Sequence, residues 1–226
     1  MKRASELFSE EERKSIAAAV SEAERQTSGE IVPVVASASG RYDRAEDLFG
    51  MAVALLALAL VWIFFQDILP VAGDWENGQR LVIGLAPILL IVLGGFLSGA
   101  VAATRIPALR LPFIAKKEMN EEVECGAAEA FHRFRVRTTN EGTGVLIYVS
   151  LFEHRVRVIG DDAISRKLGQ SDWKEIRDLI TNGMRSGRAA EGLVAAVKRC
   201  GELLGKHFPA KSGDIDELHN ELRLID

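Results

Sequence analysis

Cysteine is scarce. Cys125 and Cys200 are the two in 226 residues, they lie far apart in helix-like sequence, and neither a CxxC metal site nor a disulfide framework is indicated. The four histidines, His132, His154, His207 and His219, show no HxH or HExxH spacing, which leaves a zinc centre without sequence support. A basic surplus is missing too. With 28 Lys and Arg against 32 Asp and Glu, the net charge of -4 argues against a nucleic-acid partner, because phosphate-directed proteins concentrate cations on one face. Serine nucleophile elbows, the P-loop, the Rossmann GxGxxG and the Cys-x5-Arg loop of cysteine phosphatases are absent, which argues against an enzyme of those mechanistic classes.

Apolar sequence, by contrast, is plentiful and unevenly spread. At 48% hydrophobic the chain lies far above the level at which collapse fails. Leu48 to Gln66 and Leu81 to Thr104 hold no charged residue, giving runs of 19 and 24, where a bilayer-spanning helix needs about 20. Both read as transmembrane helices, with Trp62 near one end and Trp75 in the connecting loop as interfacial anchors. A cleaved signal sequence fits poorly, because a well-formed amphipathic helix precedes the first run. Arg41 and Arg44 precede the first span and Arg105, Arg110, Lys116 and Lys117 follow the second, whereas the loop 67–80 has Arg80 against Asp67, Asp74 and Glu76. The positive-inside rule predicts both termini in the cytoplasm and the loop outside.

The remaining residues, about 160 of them, suffice for one hydrophobic core. Ser9 and Glu12 form a capping-box pair at a helix start, and Thr27-Ser28-Gly29 ends that helix. Glu30 to Ala38 reads as a strand, with Pro33 predicting an irregular or edge position. After the spans, Lys116 to Arg133 reads as a helix with Val123, Ala127, Ala130 and Phe131 on one stripe. Val145 to Val149 is a nearly continuous apolar run, as in a strand covered on both faces, and Arg155 to Ile159 alternates, so the two predict an antiparallel hairpin. Two further helices follow, one with Ile176, Leu179, Ile180 and Met184 on a face, the other running through Leu193, Val197, Cys200 and Leu204 to stop before Pro209. The expected organisation is a domain in two parts, 1–47 and 105–208, interrupted by a membrane hairpin at 48–104 and followed by a loosely held polar tail, 209–226.

Phe8-Ser9-Glu10-Glu11-Glu12, Thr27-Ser28-Gly29-Glu30-Ile31-Val32-Pro33-Val34, the run Thr143 to Leu151 and Arg155-Val156-Arg157-Val158-Ile159 together resemble the TPM domain. That family is named for a thylakoid lumen protein, a photosystem repair protein and a nematode receptor modulator. The resemblance is nearest to a bacterial branch of membrane proteins carrying a two-span insertion. It implies an α/β fold with a small, about four-stranded sheet and helices on both faces. It also implies either acid-phosphatase activity with divalent-cation binding or an assembly, repair or modulatory role at membranes.

Candidate chemistry centres on Gly160-Asp161-Asp162, after the second hairpin strand. Adjacent carboxylates there can hold Ca2+ or Mg2+ through oxygen ligands, with Glu30 and Glu153 as further ligands. Alternatively, Asp161 or Asp162 caps a short helix over 163–168. Arg155 and Arg157 share a strand face, and Arg157 can contact phosphate in bidentate fashion or form a solvated face. His154 reads as a solvated turn residue. Gly95, Gly99 and Ala103 make a small-residue face on the second span, for packing on the first span or on another copy. Neither span carries an ionisable residue, which disfavours an ion path. The expected protein is an inner-membrane, non-catalytic interaction module whose partners are the lipid bilayer and other membrane proteins. A divalent-metal-dependent phosphatase is the alternative.

Overall fold

The computed structural model describes residues 3–65, 84–139, 141–210 and 217–226. Trp75 and the expected loop 67–80 therefore lie outside the described residues. The contacts divide the chain into two compact units, Arg41–Lys116 and the sequence before and after it.

The flanking sequence builds the α/β unit. After the short α1 (Ala4–Leu7), α2 (Glu10–Glu24) starts at the expected box: Ser9 Oγ accepts from the Glu12 amide at 3.3 Å, and the Glu12 carboxylate accepts from the Ser9 amide at 2.8 Å. Strand β1 (Glu30–Ala36) is buried throughout. Within the other unit, α3 (Asp43–Phe65) and α4 (Leu85–Arg105) follow, and then α5 (Lys116–Arg133) returns the chain to the α/β unit. Strands β2 (Gly144–Ser150) and β3 (Arg155–Gly160) pair antiparallel, joined by a tight turn with His154 exposed and left-handed at φ 52°. Helices α6 (Asp162–Ser165), α7 (Gln170–Arg185) and α8 (Ala189–His207) precede β4 (Arg223–Ile225).

The sheet order is β3-β2-β1-β4, with β1 parallel to both neighbours. Alternation sorts the strands between two cores. Ile31, Val35, Val145, Ile147 and Val149 pack on α2, α7 and α8, whereas Val32, Val34, Leu146 and Tyr148 pack on α5. The result is a three-layer α/β unit, as the resemblance implies.

Two expectations are refined here for physical reasons. Within the expected loose tail, residues 217–226 are held in place, because Leu222 is buried and β4 pairs with β1. Pro33 lies in a strand with a neighbour on each side, but at a position that is an edge locally. The Ile31 amide donates to the Glu24 carboxylate, and the Ser37 amide donates to the Ile225 carbonyl, so the odd positions of β1 turn their N–H toward the β4 side. β4 reaches only from Val34 to Ala36. The donor that proline lacks would have pointed where no strand pairs with it.

In the other unit, α3 and α4 are long and apolar enough to cross a membrane, at 23 and 21 residues. Every exposed large apolar side chain among the described residues falls between Leu48 and Phe113. The helices pack through small residues. A Cβ on Gly95 would stand 2.8 Å from Ala54 Cα, one on Gly99 would stand 2.9 Å from Gly50 Cα, and Ala103 is fully buried. The expected small-residue face is thus turned to the first apolar helix. At the start of α3, Glu46 accepts from Arg110 Nη1 at 2.7 Å and from the Thr104 hydroxyl at 2.8 Å, and the same Arg110 nitrogen donates to the Arg41 carbonyl at 3.2 Å.

Candidate functional site

In open α/β sheets ligands collect beyond the carboxyl ends of parallel strands, and here the β1–β2 pair ends on a buried polar cluster. Ser150 closes β2 and Ser39 follows β1 by three residues. Glu153, in the β2–β3 turn, is 4% exposed. One of its carboxylate oxygens accepts from the amides of Ser39 at 3.0 Å and Gly40 at 3.1 Å, while the other accepts from the Ser150 hydroxyl. Ser39 Oγ donates to Ser150 Oγ at 2.9 Å and lies 3.0 Å from the Tyr148 phenol oxygen. Four side chains from two chain segments thus form one hydrogen-bonded run ending on a carboxylate.

Tyr148 comes from the same register that builds the α5-side core. Leu146, Tyr148 and Ser150 share a strand face at spacing two, and the face becomes polar toward the strand's end. A Cβ on Gly126 of α5 would stand 2.7 Å from the phenol oxygen and push it aside. Burial pushes the Tyr148 pKa above its ordinary value; the Ser39 hydrogen bond works against this, and the charges of Glu153 and Glu129 add to it. Chemically the cluster can keep a phenol protonated and join the end of β1 to the hairpin turn. The sequence reading named Glu153 but missed Ser39, Tyr148 and Ser150. The signal was there in the two polar residues at i and i+2 of an otherwise apolar strand.

The acidic turn is built differently. Asp161 is buried and caps α6, its Oδ1 accepting from the Asp162 amide at 2.8 Å. Asp162 is exposed and lies 3.6 Å from Arg137 Nη2. Glu30 is paired in register with Gly144 near this end of the sheet, whereas Glu153 lies beyond the Ala36–Ser150 pair at the other, about 20 Å away at the usual strand rise. Among the described residues no group of three His, Cys, Asp or Glu side chains is positioned to hold a metal ion. The turn's carboxylates therefore fit a helix cap and a surface ion pair better than a cation site. Arg157 extends on the α5 face and pairs with Glu124, the kind of exposed contact worth about 0–1 kcal/mol.

Residues 114–203 match the family model of the TPM domain. That segment is therefore similar to the TPM domain, the family that the motifs resemble. The NMR structure of the BA42 protein from the psychrophilic bacterium Bizionia argentinensis sp. nov. is similar in fold, with a TM-score of 0.54 at 21% sequence identity, covering 96% of this chain and 94% of that one. No curated protein matches the chain.

Proposed function

We propose that this protein is a membrane-tethered interaction module, held at the cytoplasmic face of a bacterial inner membrane by the α3–α4 hairpin and acting on neighbouring membrane proteins rather than on a substrate. The confinement of the exposed large apolar side chains to 48–113 carries this reading. Ile63 and Leu90 are 66% and 69% exposed, and a soluble monomer rarely shows an apolar patch of more than a few hundred Å². The positive-inside count supports the orientation. In the α/β unit the buried carboxylates of Asp161 and Glu153 are spent on a helix cap and on holding backbone amides, which favours a binding scaffold over an active site.

The test compares the native chain with one whose residues 48–104 are replaced by a soluble linker. Membrane proteins photo-crosslinked to the α/β unit in cells are expected to disappear in the replacement. An unchanged set refutes the tether. Release of phosphate from a generic phosphomonoester that tracks Mg2+ or Ca2+ and vanishes in Asp161→Asn refutes the non-catalytic reading in favour of the phosphatase. A reporter fused at Gly73 is expected to be active outside the membrane, and activity only in the cytoplasm reverses the orientation.

A further inference from the structure

Strand β3 ends the sheet on one side. The Asp161 amide donates to the Gly144 carbonyl at 2.8 Å, continuing the register that pairs Gly160 with Val145 and Ile159 with Leu146. In an antiparallel ladder the hydrogen-bonded positions alternate, so Arg155, Arg157 and Ile159 spend their backbone groups on β2. The N–H and C=O of Val156 and Val158 and the N–H of Gly160 then point away from the sheet. The Gly160 carbonyl accepts from the Ser165 hydroxyl at 2.8 Å, so α6 terminates the open stretch. Among the described residues no strand pairs with this edge.

Edges of this kind are normally blunted by proline, a bulge, brevity or charged side chains, and of these β3 carries charge, at Arg155 and Arg157. β3 has six consecutive register pairs and no proline. One groove follows it, of about 490 Å³, along Arg157–Gly160 between Glu124 of α5 and Leu168 and Trp173. A second, of about 350 Å³, lies over the end of the β2–β3 hairpin, between Val149–Leu151, Arg155 and Val156 of the strands and Met184 and Arg185 of α7. Chemistry differs between the two faces of the strand. Val156 and Val158 lean toward the core under α7, and Arg155 and Arg157 stand on the other face.

We propose that the outer edge of β3 receives an extended acidic segment of a partner protein by strand addition, with alternating apolar and acidic side chains. This rests on the interaction-module reading and names its surface. Main-chain hydrogen bonds to Val156, Val158 and Gly160 supply affinity, and alternate side chains supply specificity. The apolar set extends the valine face toward Trp173 and Met184. The acidic set stands beside Arg155, and beside Arg157 in exchange for its exposed pairing with Glu124; there cross-strand pairs of opposite charge are favourable and like charges are not. Antiparallel β3–β3 registers centred on Val156 or Arg157 set arginine against arginine, which weighs against a second copy in those registers; the register centred on Val158 escapes this and is decided by the mass measurement below.

The test uses full-length protein in detergent micelles and a short labelled peptide alternating glutamate with valine, read by fluorescence anisotropy. Saturable binding is expected, weakened about tenfold or more when the peptide is N-methylated at alternate residues or carries lysine for glutamate. Hydrogen exchange is expected to slow at the amides of Val156, Val158 and Gly160 and to stay unchanged at Arg157 and Ile159. Val158→Pro removes an outward N–H that the sheet does not use, so it is expected to abolish binding and leave the fold. Should that variant fail to fold, Arg155→Glu with Arg157→Glu is expected to switch preference to the lysine peptide. Absence of binding at millimolar peptide, equal binding of the N-methylated peptide, or a doubling of mass that Val158→Pro removes each overturns the proposal. A silent edge with the crosslinked partner set intact sinks the strand-addition surface and leaves the tethered-module reading standing.

Discussion

Replacing Glu153 by alanine removes the acceptor for two backbone amides and one hydroxyl at once. Ser39 and Gly40 donate at 3.0 and 3.1 Å, Ser150 donates to the second oxygen, and the residue is 4% exposed, so water cannot readily take its place. An orphaned buried donor costs about 1–3 kcal/mol and bonds to an ionised acceptor are at the strong end. Summed with partial relaxation, Glu153→Ala is expected to destabilise the α/β unit by about 3–5 kcal/mol. Glu153→Gln keeps an oxygen for the two amides and lets Ser150 turn to accept, so about 1–2 kcal/mol is expected. Hydrogen exchange of the full-length protein in micelles, followed at the β1 and β2 amides that open only globally, reads these losses directly. Alanine should speed exchange by about a hundredfold to several thousandfold, and glutamine by about tenfold. Exchange in Glu153→Ala within about threefold of the native rate would show that the cluster holds nothing together and that the reasoning is wrong.

Other expectations follow from the same geometry. Because burial raises the Tyr148 pKa above its ordinary value near 10, the native state holds that proton more tightly than the unfolded chain. The stability this contributes is complete below pH 10 and is lost as pH rises through the folded value; Tyr148→Phe should flatten the alkaline limb of a pH–stability profile, and an unchanged limb refutes it. Burial pushes the Cys200 thiol up to about 12 while Cys125 is exposed, so alkylation at pH 8 should label Cys125 alone until urea is added; two labels in the native protein would contradict this. Asp161→Asn should leave stability nearly unchanged, since asparagine caps as well as aspartate, whereas Asp161→Ala should cost about 1 kcal/mol. Equal losses in calorimetry would deny the cap. Gly99→Leu drives a side chain into Gly50 and Val53 and should lower the thermal midpoint in micelles, whereas Leu97→Ala, at an exposed position, should not.

Local chemistry explains which features were readable in the chain. The Ser9–Glu12 box, the bounds of α5, the all-buried run of β2 and the two apolar helices each announce themselves within one window of sequence. β4 does not. Arg223-Leu224-Ile225 is too short to show a period, and it becomes a strand because β1 offers it a partner. Pro33 marks an edge only locally, because β4 stops short of it. Of the site, Glu153 and Asp161 could be suspected as acids, but the role of each is set by what lies beside it. Ser39 and Tyr148 meet across 109 positions, a juxtaposition that no spacing rule encodes.

The sheet's central pair joins Glu30 to Gly144, and between those strands the ribosome must produce both apolar helices. Synthesis of the roughly one hundred intervening residues takes about 5–20 s at 5–20 residues per second. During that interval β1 has no β2 to pair with. The α/β unit can therefore close only after the hairpin has been made, so a finished sheet is itself a record that the hairpin was completed. A chain stalled within the hairpin would present β1 as an unpaired apolar strand, the kind of segment that proteases and chaperones select. Biogenesis of this protein carries its own checkpoint in the order of its strands.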